Sequence, residues 1–235
     1  MSDIPKIIEQ GAREYGLSLP DGAVSAFCKY YTLLERKGKN FNLTAISGEK
    51  DVAQLHFLDS LALFGSADFR GARVIDVGSG AGFPGVPLIL IEPSINLTLL
   101  DATAKRVTFL LDLCAELGIA AACLHARAEE AARLPDLREL FDIAVSRAVA
   151  RLPVLCELCL PFVRVGGLFL AMKSDDSEIE LEEARGVIEF LGGAFFTSTV
   201  YMIPETTIKR SILIIRKISP TPETYPRRFA KIKKN

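Results

Sequence analysis

The sequence predicts an α/β fold in which a mostly parallel sheet follows an N-terminal helical extension. From Arg73 onward, short apolar strands alternate with helical segments, a pattern typical of a parallel sheet with helices on both faces. The last two predicted strands follow each other without room for a crossover helix, which predicts an antiparallel C-terminal hairpin. Apolar residues at helical spacing dominate residues 1–70.

The extension contains three predicted helices. Apolar residues recur at helical spacing from Ile4 and again from Val24. A third helix is predicted from about Lys50 to Phe64, and FNLT at 41–44 interrupts the pattern as a loop.

Seven strands and three longer helices are predicted in the remainder of the chain. The strands are RVIDVG, LTLLD, AACLHA, FDIAVS, GLFLAMK, FFTSTVYMI and SILIIRK. The helices are AKRVTFLLDLCAELG, RLPVLCELCLPFV and SEIELEEARGVIEFLGG. We therefore divide the chain into a helical extension at 1–70, a ligand-binding domain at 71–220 and a basic tail at 221–235.

A glycine-rich turn, RVIDVGSGAGFPG, joins the first strand to a helix. Its glycines are Gly78, Gly80 and Gly82, which allow the backbone to approach a ligand closely. Phe83 occupies the position where a dinucleotide site has a third small residue. Asp101 ends the next strand, about 20 residues further on, where a carboxylate accepts hydrogen bonds from ribose hydroxyls. These features predict a nucleoside-containing cofactor, and the G-x-G-x-G spacing resembles the first motif of class I S-adenosylmethionine (SAM) methyltransferases.

Composition limits the class of protein. The chain has 235 residues, of which 49% are hydrophobic, enough for one domain with a sizeable core. A net charge of -1 means that nucleic-acid contact must come from local clusters of cations. No apolar run reaches the roughly 18 residues of a membrane span, and the N-terminus lacks a secretory signal. We therefore expect a cytoplasmic protein without membrane contact, and a monomer.

The five cysteines predict reduced thiols and no metal site. Cys156 and Cys159 form C-x-x-C within an apolar helix, and no second pair completes a zinc site. Only two histidines, His56 and His125, are available as further ligands.

Seven segments spread over nearly the whole chain form a combined motif. They are NLTAI (42–46), HFLDSL (56–61), VIDVGSGAGFPGVPL (74–88), LLDATAKRVTFL (99–110), ARAEE (126–130), FDIAVSRAVA (141–150) and YPRR (225–228). In this order they resemble the ribosomal small-subunit methyltransferase G family, also called glucose-inhibited division protein B. The resemblance implies a class I methyltransferase fold and methyl transfer from SAM to N7 of one guanine in 16S ribosomal RNA. The implied partner is 16S rRNA or the small ribosomal subunit.

The resemblance also implies which residues contact the cofactor. They are Gly78, Phe83, Ala128, Glu129 and Arg147, to which the glycine motif adds Gly80, Gly82 and Asp101. Structural alternatives remain: core packing for Phe83, a solvated helix start for Glu129 and a strand-end turn for Asp101.

Arg147 directly follows the fourth predicted strand, where an arginine needs a partner. We expect it to contact the cofactor carboxylate or an RNA phosphate, and the alternative is a salt bridge to a nearby acid such as Asp76 or Asp142. Arg127 and Lys173 lie at the same edge of the sheet and are further positioning or RNA-contact candidates.

Three polar residues of the extension are also candidates. Asn42 precedes the third helix, whereas His56 and Asp59 share one face of it. A hydrogen-bond network and a substrate role fit them equally.

Positive charge is concentrated near the C-terminus. The candidate RNA contacts there are Arg210, Arg227, Arg228 and Lys231. With Tyr225 and Phe229 interleaved, the segment suits phosphate contact and base stacking, and a solvated tail is the alternative.

The implied chemistry needs no general base, because guanine N7 carries a lone pair at neutral pH. The segment after the fourth strand, SRAVARLP, lacks the cysteine of cytosine C5 chemistry and the D/N-P-P motif of adenine methylation. N7 lies on the major-groove edge, which is inaccessible in A-form RNA, so we expect an unpaired or flipped guanine.

Three other functions are left open by the sequence. They are a SAM methyltransferase acting on a small molecule or another RNA, an NAD-dependent oxidoreductase, and a non-catalytic ribosome-binding module. Phe83 argues against the second, and the intact glycines and Asp101 argue against the third.

Overall fold

The computed structural model describes residues 3–41, 43–174 and 177–232, in which seven strands form one mixed sheet. They are β1 (Arg73–Val77), β2 (Asn96–Asp101), β3 (Ala121–His125), β4 (Phe141–Arg147), β5 (Val163–Lys173), β6 (Gly193–Met202) and β7 (Lys209–Lys217). Their order in the sheet is β3-β2-β1-β4-β5-β7-β6. Strands β1 to β5 pair in parallel, and β7 pairs antiparallel with both β5 and β6. The predicted sheet with its antiparallel C-terminal hairpin is confirmed.

Helices cover both faces of this sheet. Those described are α1 (Ile4–Glu14), α2 (Ala23–Phe41), α3 (Glu49–Val52), α4 (Asp59–Leu61), α5 (Gly85–Ile91), α6 (Ala104–Leu117), α7 (Ala128–Ala131), α8 (Leu152–Cys159), α9 (Ser177–Phe190) and α10 (Phe229–Ile232). Two helix ends agree with the local sequence. Pro153 lies in the first turn of α8, and α6 ends at Gly118, which has a left-handed conformation.

Successive side chains of a strand point to opposite faces of the sheet, so alternate residues belong to two hydrophobic cores, one on each face. Val74 and Ile214 belong to the core that also contains α1, α2, α5 and α6. Ile75 and Ile215 belong to the core on the other face, under α8 and α9. The extension therefore shares a core with the sheet, and the domain boundaries at residues 70 and 220 stay predictions.

The third predicted helix is helical over its whole length but is not uniform. A π-helical segment, Ala53–Leu58, separates α3 from α4, and a 3-10 turn, Ala62–Gly65, follows. Periodicity alone did not predict this change of winding, which often marks functional sites. Leu55 on this segment is only partly buried. Asn42 lies outside the described residues.

The C-terminal segment is packed against the domain and is not a solvated tail. We call residues 218–232 the C-terminal strap. Thr221 and Ile232 are buried in it, and Ile232 belongs to the core under α8 and α9. Tyr225 packs edge-on against Phe190 of α9, with ring centroids 5.0 Å apart, so intramolecular packing already uses one of the two predicted stacking residues.

The cysteines and helices add three observations. Cys156 and Cys159 are fully buried and all five cysteines are free thiols, as predicted. Within the described ranges, no group of three or more His, Cys, Asp or Glu side chains is arranged to hold a metal ion. Every helix in the same ranges is too short or too polar to cross a membrane.

Candidate active site

A cavity of about 710 Å³ opens at the carboxyl ends of the parallel strands, where open α/β sheets bind ligands. Predicted site residues that line it are Gly78, Gly80, Phe83, Asp101, Arg127, Arg147, Lys173 and Arg210. The extension contributes Leu43, Thr44, Ile46, Leu55, His56 and Asp59 to the opposite wall. Gly82 and Ala128 lie next to lining residues in the chain, and Glu129 follows Ala128, but none of the three lines the cavity itself.

Asp101 orders the glycine-rich turn from the end of β2. Its Oδ2 accepts a hydrogen bond from the Gly80 amide at 3.0 Å, and its Oδ1 accepts one from the Thr103 amide at 2.8 Å. The Arg106 guanidinium lies 3.5 Å from the same Oδ2. A carboxylate has about four acceptor positions, so acceptor capacity remains at the cavity wall.

Arg147 connects the end of β4 with the extension. Its Nη1 donates to Asp59 Oδ2 at 2.8 Å and to the Leu55 carbonyl at 3.2 Å, and its Nη2 donates to His56 Nδ1 at 2.8 Å. Asp59 Oδ1 accepts a further hydrogen bond from the Tyr201 hydroxyl at 2.7 Å. These bonds use three of the five guanidinium N–H groups, and the side chain is 13% exposed at the cavity.

The salt bridge expected as the alternative for Arg147 is present, but its partner is Asp59 and neither Asp76 nor Asp142. Asp76 instead accepts a hydrogen bond from the Gly85 amide at 2.8 Å beneath the glycine-rich turn, and burial raises its pKa to about 7. Asp142 binds the Arg73 amide and the Arg164 guanidinium, both at 2.7 Å.

An aromatic stack supports Arg147 from the core. The Phe83 ring stacks on His56 at 4.3 Å and on Tyr30 at 5.2 Å, and the Arg147 guanidinium lies 5.2 Å from the Phe83 centroid. The Tyr30 hydroxyl donates to the Ala81 carbonyl at 2.5 Å, which fixes the turn from below. Phe83 therefore fills the core and lines the cavity at once, so its two expected roles coexist.

His56 is held as a neutral acceptor. The pKa of His56 is lowered to about 3. Burial is the larger cause, and the neighbouring positive charge of Arg147 is the second. Its Nδ1 accepts from Arg147, so the proton is assigned to Nε2, which lies 2.7 Å from the Thr44 hydroxyl. The hydrogen-bond network expected as one alternative for His56 and Asp59 is therefore present.

Glu129 and Arg127 form an ion pair beside the cavity. Arg127 Nε donates to Glu129 Oε1 at 3.0 Å, and the carboxylate is nearly fully buried. Its other oxygen, Oε2, has no hydrogen-bond partner among the described residues. A buried acceptor in this state costs free energy until a donor reaches it.

The remaining cationic candidates are scattered. Lys173 Nζ binds the Ala150 carbonyl at 2.8 Å and Glu180 at 2.6 Å. Arg227 forms a bidentate pair with the buried Glu157, whereas Arg228 and Lys231 are exposed on the strap, away from the cavity. Lys173 and Arg210 therefore line the cavity, whereas the three strap residues do not.

Sequence reasoning missed Thr44, Tyr30 and Tyr201 as parts of the site. Thr44 lies in the NLTAI segment, so the combined motif contained a signal for it. Tyr201 has no local signal, because its partner Asp59 is 142 residues away in the chain.

The neutral state of His56 predicts acid sensitivity. The folded protein keeps His56 unprotonated, whereas the unfolded chain binds a proton below about pH 6.5, so this group lowers stability as pH falls toward 3. Between pH 6.5 and 5 the loss is about 2 kcal/mol. Urea unfolding of wild type and His56→Gln at both pH values measures it. If the free energy of unfolding changed equally with pH in the two proteins, the assignment of a neutral His56 would be contradicted.

Comparison with known proteins identifies relatives over the whole chain. A family model described as rRNA small subunit methyltransferase G matches residues 23–208. A ribosomal RNA small subunit methyltransferase G from Pelotomaculum thermopropionicum is 44% identical over 230 residues, covering 97% of this chain and 96% of the relative.

Solved structures at lower identity share the fold alone. TrmN from Thermus thermophilus superposes with a TM-score of 0.53 at 20% identity, over 77% of this chain and 53% of that one. The TM-score is 0.51 at 13% identity for M. jannaschii TYW2 in complex with AdoMet, over 72% of this chain and 81% of that one. The arrangement is the class I SAM methyltransferase fold that the sequence predicted.

Proposed function

Because the chain belongs to the rRNA small subunit methyltransferase G family, we propose that it transfers a methyl group from SAM to N7 of a guanine in 16S rRNA. The observation that carries the proposal is the cavity at the strand ends, where an ordered glycine-rich turn and an Asp101 carboxylate face a wall built by the extension. A ribosomal substrate assigns the protein to the cytoplasm.

The residues around the cavity fit a SAM-sized ligand. Gly78 and Gly80 adopt positive φ of +79° and +59°, and without a Cβ at these two positions the turn exposes its backbone. Acceptor capacity remains on Asp101, and the partnerless Glu129 oxygen lies beside the wall. SAM supplies an activated methyl group on a sulfonium. The chain's own residues bind and orient the donor: Gly78, Gly80 and Asp101 on one side, Phe83 and Arg147 on the other.

The site is suited to a nucleophile that needs no deprotonation. His56, at the cavity wall, has its pKa lowered to about 3 and both ring nitrogens engaged. The carboxylates of Asp59 and Glu180 are bound to Arg147 and Lys173. Guanine N7 presents a lone pair directly, so alignment can supply roughly 7–11 kcal/mol of the barrier.

Positive charge at the cavity suits a polyanionic substrate better than a neutral small molecule. The cavity lining has five arginine or lysine side chains and three carboxylates, so the wall carries a net positive charge even though Arg106, Arg127 and Arg147 are paired with acids. Phosphates of a single-stranded loop gain favourable contacts with such a cluster. A deletion of the C-terminal strap would not distinguish an RNA methyltransferase from a small-molecule methyltransferase, because the strap is part of the packed fold.

The glycine-rich turn allows a matched test. An alanine Cβ at position 78 would lie 2.5 Å from Val149 Cγ2, which belongs to the cavity wall, whereas at Gly118, a left-handed glycine that does not line the cavity, no atom lies within 4 Å. Both substitutions impose a left-handed alanine, at about 1 kcal/mol. We expect both variants to lose stability in urea, but SAM binding to be clearly weaker only in Gly78→Ala and unchanged in Gly118→Ala. Equal SAM affinities would contradict a role for the Val149 contact.

The deciding experiment is transfer of labelled methyl from SAM to small-subunit rRNA that lacks the modification, mapped by chemical cleavage at 7-methylguanine. A single labelled N7 position supports the proposal. SAM binding without transfer to RNA would move the assignment to a small-molecule methyltransferase, and NADH binding without SAM binding would move it to an oxidoreductase.

A further inference from the structure

The C-terminal strap is bound to the segment that follows β3. Arg133 Nη2 donates to the carbonyl oxygen of Pro226 at 2.5 Å. Arg138 donates to the carbonyl oxygens of Tyr225 and Thr221, both at 2.9 Å. The segment that carries Arg127 and Glu129 continues directly into these two arginines, so it also holds the strap in place.

A buried ion pair fixes the strap at a second point. The Arg227 amide donates to Glu157 Oε1 at 2.6 Å, and its guanidinium binds both carboxylate oxygens at 2.7–3.1 Å. Glu157 is 1% exposed, so this bidentate pair is tightly restrained. Ile232, one helical turn further, is buried in the core. The strap therefore has a defined path up to its last described turn.

That path brings Phe229 onto a residue of the cavity wall. The Arg127 guanidinium lies 4.2 Å from the centroid of the Phe229 ring, a close cation–π distance. The same guanidinium donates to Glu129 Oε1 at 3.0 Å. Glu129 is nearly fully buried, and its other oxygen has no partner in the described part of the chain.

We propose that Phe229 is a positioning residue for cofactor binding: through Arg127 it holds Glu129 in the orientation that the bound nucleoside requires. The inference rests on the proposed function. Arg127 is 41% exposed and flexible, and an exposed ion pair alone restrains such a side chain only weakly. The Phe229 ring covers one face of the Arg127 guanidinium. Fewer orientations of Arg127 in which its bond to Glu129 is broken are therefore accessible.

This role differs from RNA contact, the function expected for the basic C-terminal segment. A strap that binds RNA would change the affinity for RNA and leave SAM binding intact. A strap that orients Arg127 and Glu129 changes SAM binding most, because loss of the Phe229 ring leaves the Arg127 charge at the cavity wall available to phosphates. The two roles can be distinguished by whether the KM for SAM or the KM for RNA rises in a strap variant.

The test compares Phe229→Ala with wild type in SAM titration calorimetry and in steady-state kinetics. We expect Kd and KM for SAM to rise about fivefold, the effect of one partly exposed cation–π contact, with a clearly smaller change in the KM for RNA. Phe229→Trp should restore the SAM affinity because it restores an aromatic face. Ala230→Ser, exposed on the same turn, is the matched control.

A double-mutant cycle guards against a general loss of structure. In an Arg127→Met background, Phe229→Ala should have no further effect on SAM affinity if both residues act through one path. An additive effect, an unchanged SAM Kd in Phe229→Ala, or a rise in the KM for RNA alone would overturn the inference. Failure of wild type itself to bind SAM would instead refute the proposed function.

Discussion

Arg147→Ala is expected to lower methyl transfer at least about 100-fold, the largest effect of any single substitution at the cavity. The guanidinium joins β4 to the extension through Asp59, His56 and the Leu55 carbonyl, and two of its N–H groups remain for a ligand. Single-turnover transfer to small-subunit rRNA measures the effect.

The same substitution leaves the buried Asp59 without its cationic partner, which costs about 3–5 kcal/mol of stability. Loss of activity through unfolding must therefore be separated from loss through chemistry. The double variant Asp59→Asn, Arg147→Met removes both charges and should regain much of the stability. If activity returns with stability, Arg147 only holds the fold. If stability returns without activity, its free N–H groups act on a ligand.

The local sequence predicted those parts of the site that depend on neighbouring residues. The turn from Gly78 to Gly82 and the acid at the end of β2 follow from strand periodicity and spacing, and Asp101 does bind the turn. The edge on which Arg147 lies also follows, because parallel strands present their carboxyl ends together.

The partners of the charged residues could not be predicted in the same way. Arg147 pairs with Asp59 across 88 residues, and Arg227 pairs with Glu157 across 70. Neither pair leaves a trace in local periodicity, so the sequence favoured a cofactor or RNA contact for Arg147, with a salt bridge to a nearby acid as the alternative, and a solvated or RNA-bound tail for Arg227. The π-helical turn at Ala53–Leu58 is a similar case, since tertiary contacts decide the winding of an otherwise helical segment.

Asp101→Asn is expected to weaken SAM binding about 10- to 100-fold while RNA affinity is retained. The carboxylate accepts from two backbone amides, those of Gly80 and Thr103. An amide side chain has one acceptor atom, so its NH₂ group must face one of these N–H donors. The turn then loses its fixed geometry even before any contact with ribose is considered. Titration calorimetry with SAM and filter binding with small-subunit rRNA measure the two affinities.

A chemical cycle separates the two roles of Asp101, ordering the turn and binding the ribose diol. S-adenosylhomocysteine and its 2′-deoxy analogue are titrated into wild type and Asp101→Asn. If the carboxylate binds the hydroxyl, removal of the 2′-OH costs wild type clearly more affinity than it costs the variant, because the interaction is already absent there. Equal costs in both proteins would restrict Asp101 to ordering the turn through Gly80 and Thr103. Its spacing from the glycines would then reflect the folding of the loop alone.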